Sequence, residues 1–152
     1  TSTPTPAYLQ EDFTATDNLY VSFYLRVPAR PANATEIIQI FNGSTQVGDI
    51  LLTSGGKLRL RNNTTQIGSD STLALAANTL YRIGIVQKRG TGANAELHAF
   101  VAIGDELFGA PFASTTTGTW TSQASRVQVG TTNGTVFTGV FDDIRLDSAV
   151  MP

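Results

Sequence analysis

Few side chains in this 152-residue sequence carry catalytic or ligand-binding chemistry, and their spacing argues against a reaction centre. There is one histidine, His98, and no cysteine. Without a thiol there is no disulfide, thiolate nucleophile or Cys-ligated zinc, and one imidazole alone does not make a transition-metal site. A hydrolytic triad needs a histidine beside a nucleophile and an acid. His98 lies in an alternating run with Phe100 on the same side, and reads as a surface or edge residue. Glycoside hydrolysis needs two carboxyl groups facing each other roughly 5–10 Å apart. Glu11-Asp12, Asp105-Glu106 and Asp142-Asp143 are adjacent pairs. On a regular strand their side chains diverge, so they read as solvated or turn carboxylates.

Binding chemistry is better represented. Tyr20 and Tyr24 fall on the outward side of an alternating run, flanking Ser22 and followed by Arg26. Trp120 sits in the polar stretch Thr115–Thr121. An aromatic ring so placed stacks on a sugar ring, although a lone tryptophan more often anchors a core or an interface. Lys57, Arg59 and Arg61 form a basic row. Such a row grips an anionic glycan, pairs with acidic neighbours, or simply lies solvated, and the solvated face is the simplest of the three. The candidate ligand-binding residues are therefore Tyr20, Tyr24, Arg59, Arg61 and Trp120. Asn33, Asn42, Asn62, Asn63 and Asn133 each begin an Asn-x-Ser/Thr triplet. Such triplets arise by chance in a chain rich in Asn and Thr, and matter only in a eukaryotic secretory pathway.

The elements that must position these residues are strands. Leu19, Val21, Phe23, Leu25 and Val27 alternate with polar or half-polar residues, the period-two signature of a half-buried strand. The same pattern recurs at Leu58–Arg61, Glu96–Ile103 and Arg126–Val129, with further strand-like runs at Tyr8–Phe13, Glu36–Phe41, Gly48–Thr53, Leu80–Lys88 and Phe137–Leu146. Asn42-Gly43, Gly55-Gly56, Asn62-Asn63, Gly90-Thr91-Gly92, Gly104-Asp105 and Asn133-Gly134 separate the runs; these residues accept positive φ and mark hairpins. Leu73–Leu80 has room for one helical turn. In the last run Phe141 and Ile144 are both apolar with two aspartates between them. A β-bulge at Asp142-Asp143 returns both to the core and leaves Arg145 beside a carboxylate.

Charged residues make up 14% of the chain and the formal net charge is −2, against roughly 25% charged in an average domain. That balance gives no field to attract nucleic acid or an anionic membrane, and no apolar run reaches the roughly 20 residues that span a bilayer. The start, Thr1-Ser2-Thr3-Pro4-Thr5-Pro6 without a methionine, fits a cleaved signal peptide or a trimmed initiator Met, the second being the simpler. The prolines favour an extended arm over residues 1–6, either loose or docked on a neighbouring subunit, ahead of a single domain over 7–152.

Three segments carry a family likeness. Gly139–Leu146 (Gly-Val-Phe-Asp-Asp-Ile-Arg-Leu) resembles the closing strand of concanavalin A-like, laminin-G-type jelly rolls. Leu19–Val27 resembles that family's early strand, and Ala76–Ile83 its turn and following strand start. The resemblance implies an all-β, two-sheet antiparallel β-sandwich of about six or seven strands, with first and last strands paired. It implies calcium as the one cofactor worth weighing, with Asp49, Asp70 and Asp142 or Asp143 as candidate ligands; otherwise no cofactor is expected. The hydrolases of this fold carry Glu-x-Asp-x-x-Glu or a close variant on one strand, and no such spacing occurs here.

The sequence therefore predicts a non-catalytic, surface-displayed structural or interaction module. Two settings fit: a decoration or accessory protein of a phage particle or a subunit of an extracellular assembly, and a lectin or carbohydrate-binding module. The expected partners are other subunits, copies of the chain itself, or glycans, at a virion surface or outside the cell.

Overall fold

The alternation of apolar and polar residues is realised as strands stacked in two layers. The computed structural model describes residues 6–116, 118–120, 122–131 and 137–152, the 118–120 stretch by its backbone alone. Among the described residues thirteen strands are formed: β1 Ala7–Thr16, β2 Asn18–Arg26, β3 Thr35–Asn42, β4 Thr45–Leu52, β5 Leu58–Asn62, β6 Thr65–Ile67, β7 Leu80–Lys88, β8 Gly90–Gly92, β9 Glu96–Ile103, β10 Ala113–Thr115, β11 Gly118–Trp120, β12 Ala124–Thr131 and β13 Val140–Asp147. A six-stranded sheet runs β1-β12-β3-β4-β5-β6, a five-stranded sheet β10-β9-β7-β2-β13, and β8 with β11 makes a small ribbon. All the strand pairs are antiparallel. Among the described residues there is no helix, hence none long and apolar enough to cross a membrane.

The core lies between the two larger sheets. Val21, Phe23, Leu25, Ile83 and Ile85 on one side meet Ile38, Ile40, Ile50, Leu52, Leu58 and Leu60 on the other, all without solvent exposure. Burying one such side chain is worth about 1.5–3 kcal/mol, so the inward face of each strand fixes its register. What points outward follows from this. Between Ile38 and Ile40 stands Gln39, between Val127 and Val129 stands Gln128, and Arg59 and Arg61 flank Leu60.

The bulge expected in the last strand is present. The β2–β13 register shifts between Asp142 and Arg145, and Asp143 takes a φ of 47°. Phe141 and Ile144 both pack on the core, and Arg145 pairs with Asp143 at 2.8 Å. Two expectations are corrected. The first and last strands do not pair, because β1 bonds to β12 and β13 to β2. Phe13 packs on the core from one sheet and Ile144 and Leu146 from the other, so the two strands face each other across the layers instead of lying side by side. Leu73–Leu80 forms no helical turn. Asn78, at a φ of 59°, turns the chain there, its amide donating to the Val27 carbonyl at 2.7 Å, while the Ala76 amide donates to the Tyr81 hydroxyl at 2.8 Å. The arm expected over residues 1–6 lies outside the described residues except for the exposed Pro6.

Candidate functional site on the outer face of the six-stranded sheet

The outward side chains of the six-stranded sheet line up across the strands. Register places Gln10 opposite Gln128, Gln128 opposite Gln39, Gln39 opposite Asp49, Asp49 opposite Arg61 and Arg61 opposite Gln66. One polar row thus crosses all six strands. At about 4.8 Å between neighbours, it is roughly 24 Å long. A second row beside it holds Asp12, Arg126, Phe41 and Gln46.

Charges within the row are paired. Asp49 has no solvent exposure. Arg61 donates to both of its oxygens, at 2.9 and 2.5 Å, and to Glu36 at 2.9 Å. Burial outweighs that pairing and pushes the Asp49 carboxyl up to about 6. Arg59 makes a two-pronged pair with Asp70 at 2.7 and 2.9 Å, and its guanidinium holds the Asp70 carboxyl below the ordinary carboxylate range. Arg126 does the same for Asp12, at 2.5 Å.

Amides link the rest. The Gln46 amide donates to Asp49, and Gln39 donates to Gln46 Oε1 at 2.8 Å. On the other side Gln10 donates to Asp12 at 2.6 Å and Gln128 to Gln10 Oε1 at 2.7 Å. Gln39 is 6% exposed and its Oε1 has no partner. Such an orphan acceptor is costly unless something supplies a donor. Gly130 closes one end of the face, at a φ of 124°. A Cβ there would run into the Ala7 carbonyl oxygen and stand 2.7 Å from the Tyr8 Cα.

Among the described side chains, two of the expected ligand-binding residues, Arg59 and Arg61, stand on this face. They are not the solvated row that was the simplest expectation: each is locked to a carboxylate by its neighbour strand or loop. Tyr20 and Tyr24 lie on the far side of the sandwich, outward from β2. There Lys88 approaches the Tyr20 ring, 5.9 Å from its centroid, and the Tyr24 hydroxyl donates to Asp105 at 2.7 Å, a bond that raises its ionisation above the usual value. The Trp120 side chain lies outside the described residues. The glutamines were missed because an amide has no charge or ring to flag it. Their signal was positional: each of Gln39 and Gln128 is a lone polar residue between two core residues of a strand.

His98 is neither an edge nor a freely solvated residue. It sits on β9, covered on one side by β10, with its Nε2 3.4 Å from Glu96 and its Nδ1 buried without a partner. Phe100 shares its face as expected, with ring centroids 6.4 Å apart. The carboxylates proposed for calcium do not converge. Asp49 and Asp70 serve separate arginines, Asp142 accepts from the Asp143 amide at 2.8 Å, and Asp143 holds Arg145. Among the described residues no group of three or more metal-ligating acids, histidines or cysteines forms.

A second feature is a seam where the sandwich is open. β1 and β13 are free edges of different sheets. Cavities of about 470 and 410 Å³ lie between them, lined by Leu9, Glu11, Phe13, Ile144 and Leu146 among others. Leu9 is 66% exposed.

No protein-family model matches the sequence, and a search of curated proteins finds no match. The fold has many solved counterparts. A heptameric SAP-like pentraxin from Limulus polyphemus superposes with a TM-score of 0.63 at 15% identity, covering 96% of this chain and 71% of its own. An endo-β-1,4-glucuronan lyase from the fungus Trichoderma reesei gives 0.65 at 12% identity, covering 96% and 76%. An alginate lyase from Aplysia kurodai gives 0.65 at 6% identity, covering 88% and 70%. At these identities the likeness establishes a concanavalin A-like jelly-roll sandwich.

Proposed function

We propose that this concanavalin A-like sandwich is a non-catalytic carbohydrate-binding module that holds a glycan along the outer face of its six-stranded sheet. The observation that carries the reading is the polar row Gln10, Gln128, Gln39, Asp49, Arg61, Gln66 that crosses all six strands of the sheet. A sugar chain offers hydroxyls that both donate and accept, and a row of amides answers both. Phe41 and Tyr8, on the same face, add apolar surface for a sugar ring. Two of the similar folds belong to lyases of glucuronan and alginate, which supports a polysaccharide as ligand. Asp12, Asp49 and Asp70 are each held by a guanidinium group, which fixes the shape of the face. Native electrophoresis through gels containing soluble polysaccharides tests the reading. Retardation by at least one polysaccharide is expected, and free migration through a broad panel refutes it.

The open seam favours a second reading, a subunit of an extracellular or virion-surface assembly. Unpaired strand edges flanking exposed apolar side chains are sites where chains associate, and one protein of similar fold is a heptamer. Sedimentation across a concentration series separates the two: a strictly monomeric protein at high concentration counts against copies meeting at the seam.

A further inference from the structure

The seam between β1 and β13 has the shape and chemistry of a slot for one more strand. Directly opposed residues of an antiparallel pair share a face. Leu9 stands opposite Val129 and Glu11 opposite Val127, and both valines are buried in the core. The inward face of β1 is therefore Leu9, Glu11 and Phe13. It is poorly covered: the five-stranded sheet ends at β13, and Leu9 keeps 66% of its surface exposed. The two cavities of the seam and a third of about 340 Å³ share Leu9, Glu11 or Leu146 in their linings, so they run as one groove along β1.

The backbone edge is open as well. The β1–β12 register is unbroken from Ala7 to Asp12, about 20 Å at roughly 3.3 Å per residue. β1 is the outermost strand, so the amides and carbonyls on its other side have no strand partner among the described residues. The edge of β13 is interrupted, because its bulge at Asp142-Asp143 shifts the register. An added strand therefore bonds to β1.

Charge fixes what that strand must carry. The charged side chains lining the groove are Glu11 and Asp147, both acidic. Asp147 accepts from the Ala149 and Val150 amides at 2.6 and 3.1 Å. Glu11 has no hydrogen-bond or ion-pair partner among the described residues. A strand laid over Glu11 strips it of water, which is costly unless a cation comes with it. The chain's own outermost strands do not supply one. β1, β6 and β10 hold no Lys, Arg or His, and the single cation of β13, Arg145, is held by Asp143. Two copies meeting at their seams bring carboxylates together, the way inward charges keep edge strands apart.

We infer that the seam accepts an extended segment of a different protein, of pattern apolar-x-Lys/Arg-x-apolar, which adds to the free edge of β1 with its cation opposite Glu11 and its apolar residues beside Leu9 and Phe13. The inference rests on the assembly reading of the seam and names the partner's chemistry. To test it, a displayed library of random octapeptides is panned against the whole chain. Enriched sequences are synthesised and titrated by fluorescence anisotropy against wild type, Glu11→Lys and Leu9→Asp. Both positions are exposed, and thermal midpoints verify that the variants fold. Enrichment of the pattern supports the inference when binding is weakened about tenfold or more by either substitution and recovered in Glu11→Lys once the peptide's cation is exchanged for Glu. Enriched peptides that lack a cation, or that bind Glu11→Lys as tightly as wild type, overturn it. So does the absence of any enrichment, and sedimentation then separates the two readings. Self-association of the wild-type chain that is lost in Leu9→Asp keeps the assembly reading with a second copy at the seam, whereas a monomer at every concentration removes that as well.

Discussion

Replacing Arg61 with Met removes the guanidinium from a carboxylate that has no other charge partner of opposite sign and no contact with water. Asp49 loses two hydrogen bonds and Glu36 one. Breaking a buried pair from one side costs about 3–5 kcal/mol when the remaining group must stay charged. Asp49 has an escape, because it can take up a proton. Even beside Arg61 its carboxyl stands at about 6, raised by burial from 3.8. The sign follows. A carboxyl raised in the folded state binds protons more tightly there than in the unfolded chain, so its contribution to stability is greatest below the unfolded pKa and is lost as pH rises towards 6. In wild type that loss totals about 3 kcal/mol at about 1.36 kcal/mol per unit and is complete a little above pH 6. Without Arg61 the carboxyl rises further, and the loss continues to higher pH. The gap between wild type and Arg61→Met is therefore smallest near pH 5, on the order of 1–2 kcal/mol for lost hydrogen bonds. It widens above pH 6 by up to about 1.4 kcal/mol per unit. Urea unfolding followed by circular dichroism at pH 5, 6, 7 and 8 measures it. A gap that stays constant across the series refutes the assignment of a buried, titrating Asp49.

Other outcomes follow from the same geometry. Gly130→Ala meets the Ala7 and Tyr8 backbone at a φ reserved for glycine, so it lowers stability by about 2 kcal/mol or more, read as a drop in urea midpoint without a change in slope. Asp143→Val places a β-branched residue at a φ of 47° and removes the Arg145 pair; a cost of about 1–2 kcal/mol is expected, whereas Asp143→Gly stays within about 0.5 kcal/mol of wild type. Tyr24→Phe removes the tyrosine whose ionisation is raised by Asp105, so in an absorbance titration a phase above the ordinary tyrosine range disappears. Phe23→Ala, at the fully buried centre of the core, costs about 3–5 kcal/mol in denaturant unfolding.

Much of the fold was legible because side chains alternate with period two. Leu19 to Val27 and Leu97 to Ile103 declare their inward faces without reference to any partner, and the paired apolar residues around Asp142-Asp143 declare a bulge. The site was legible only in part. Arg59 and Arg61 were visible as charges, but the sequence places Asp70 and Glu36 eleven and twenty-five residues away from their guanidinium partners, and nothing local announces those meetings. Tyr20 and Tyr24 were rightly read as outward, yet outward from the other sheet, so they and the arginines occupy opposite faces.

By itself, then, the sequence determined which face of each strand is buried, where the chain turns, and that the chain has no thiol, since those depend on residue type and near neighbours. Strand order was decided only in the tertiary structure. That order brings Gln10, Gln128, Gln39, Asp49, Arg61 and Gln66 from six strands into one row. It also leaves β1 and β13 facing each other across an open seam. The physical reason is that an antiparallel pair fixes which residues stand opposite each other, but the choice of partner belongs to the packing of the whole core.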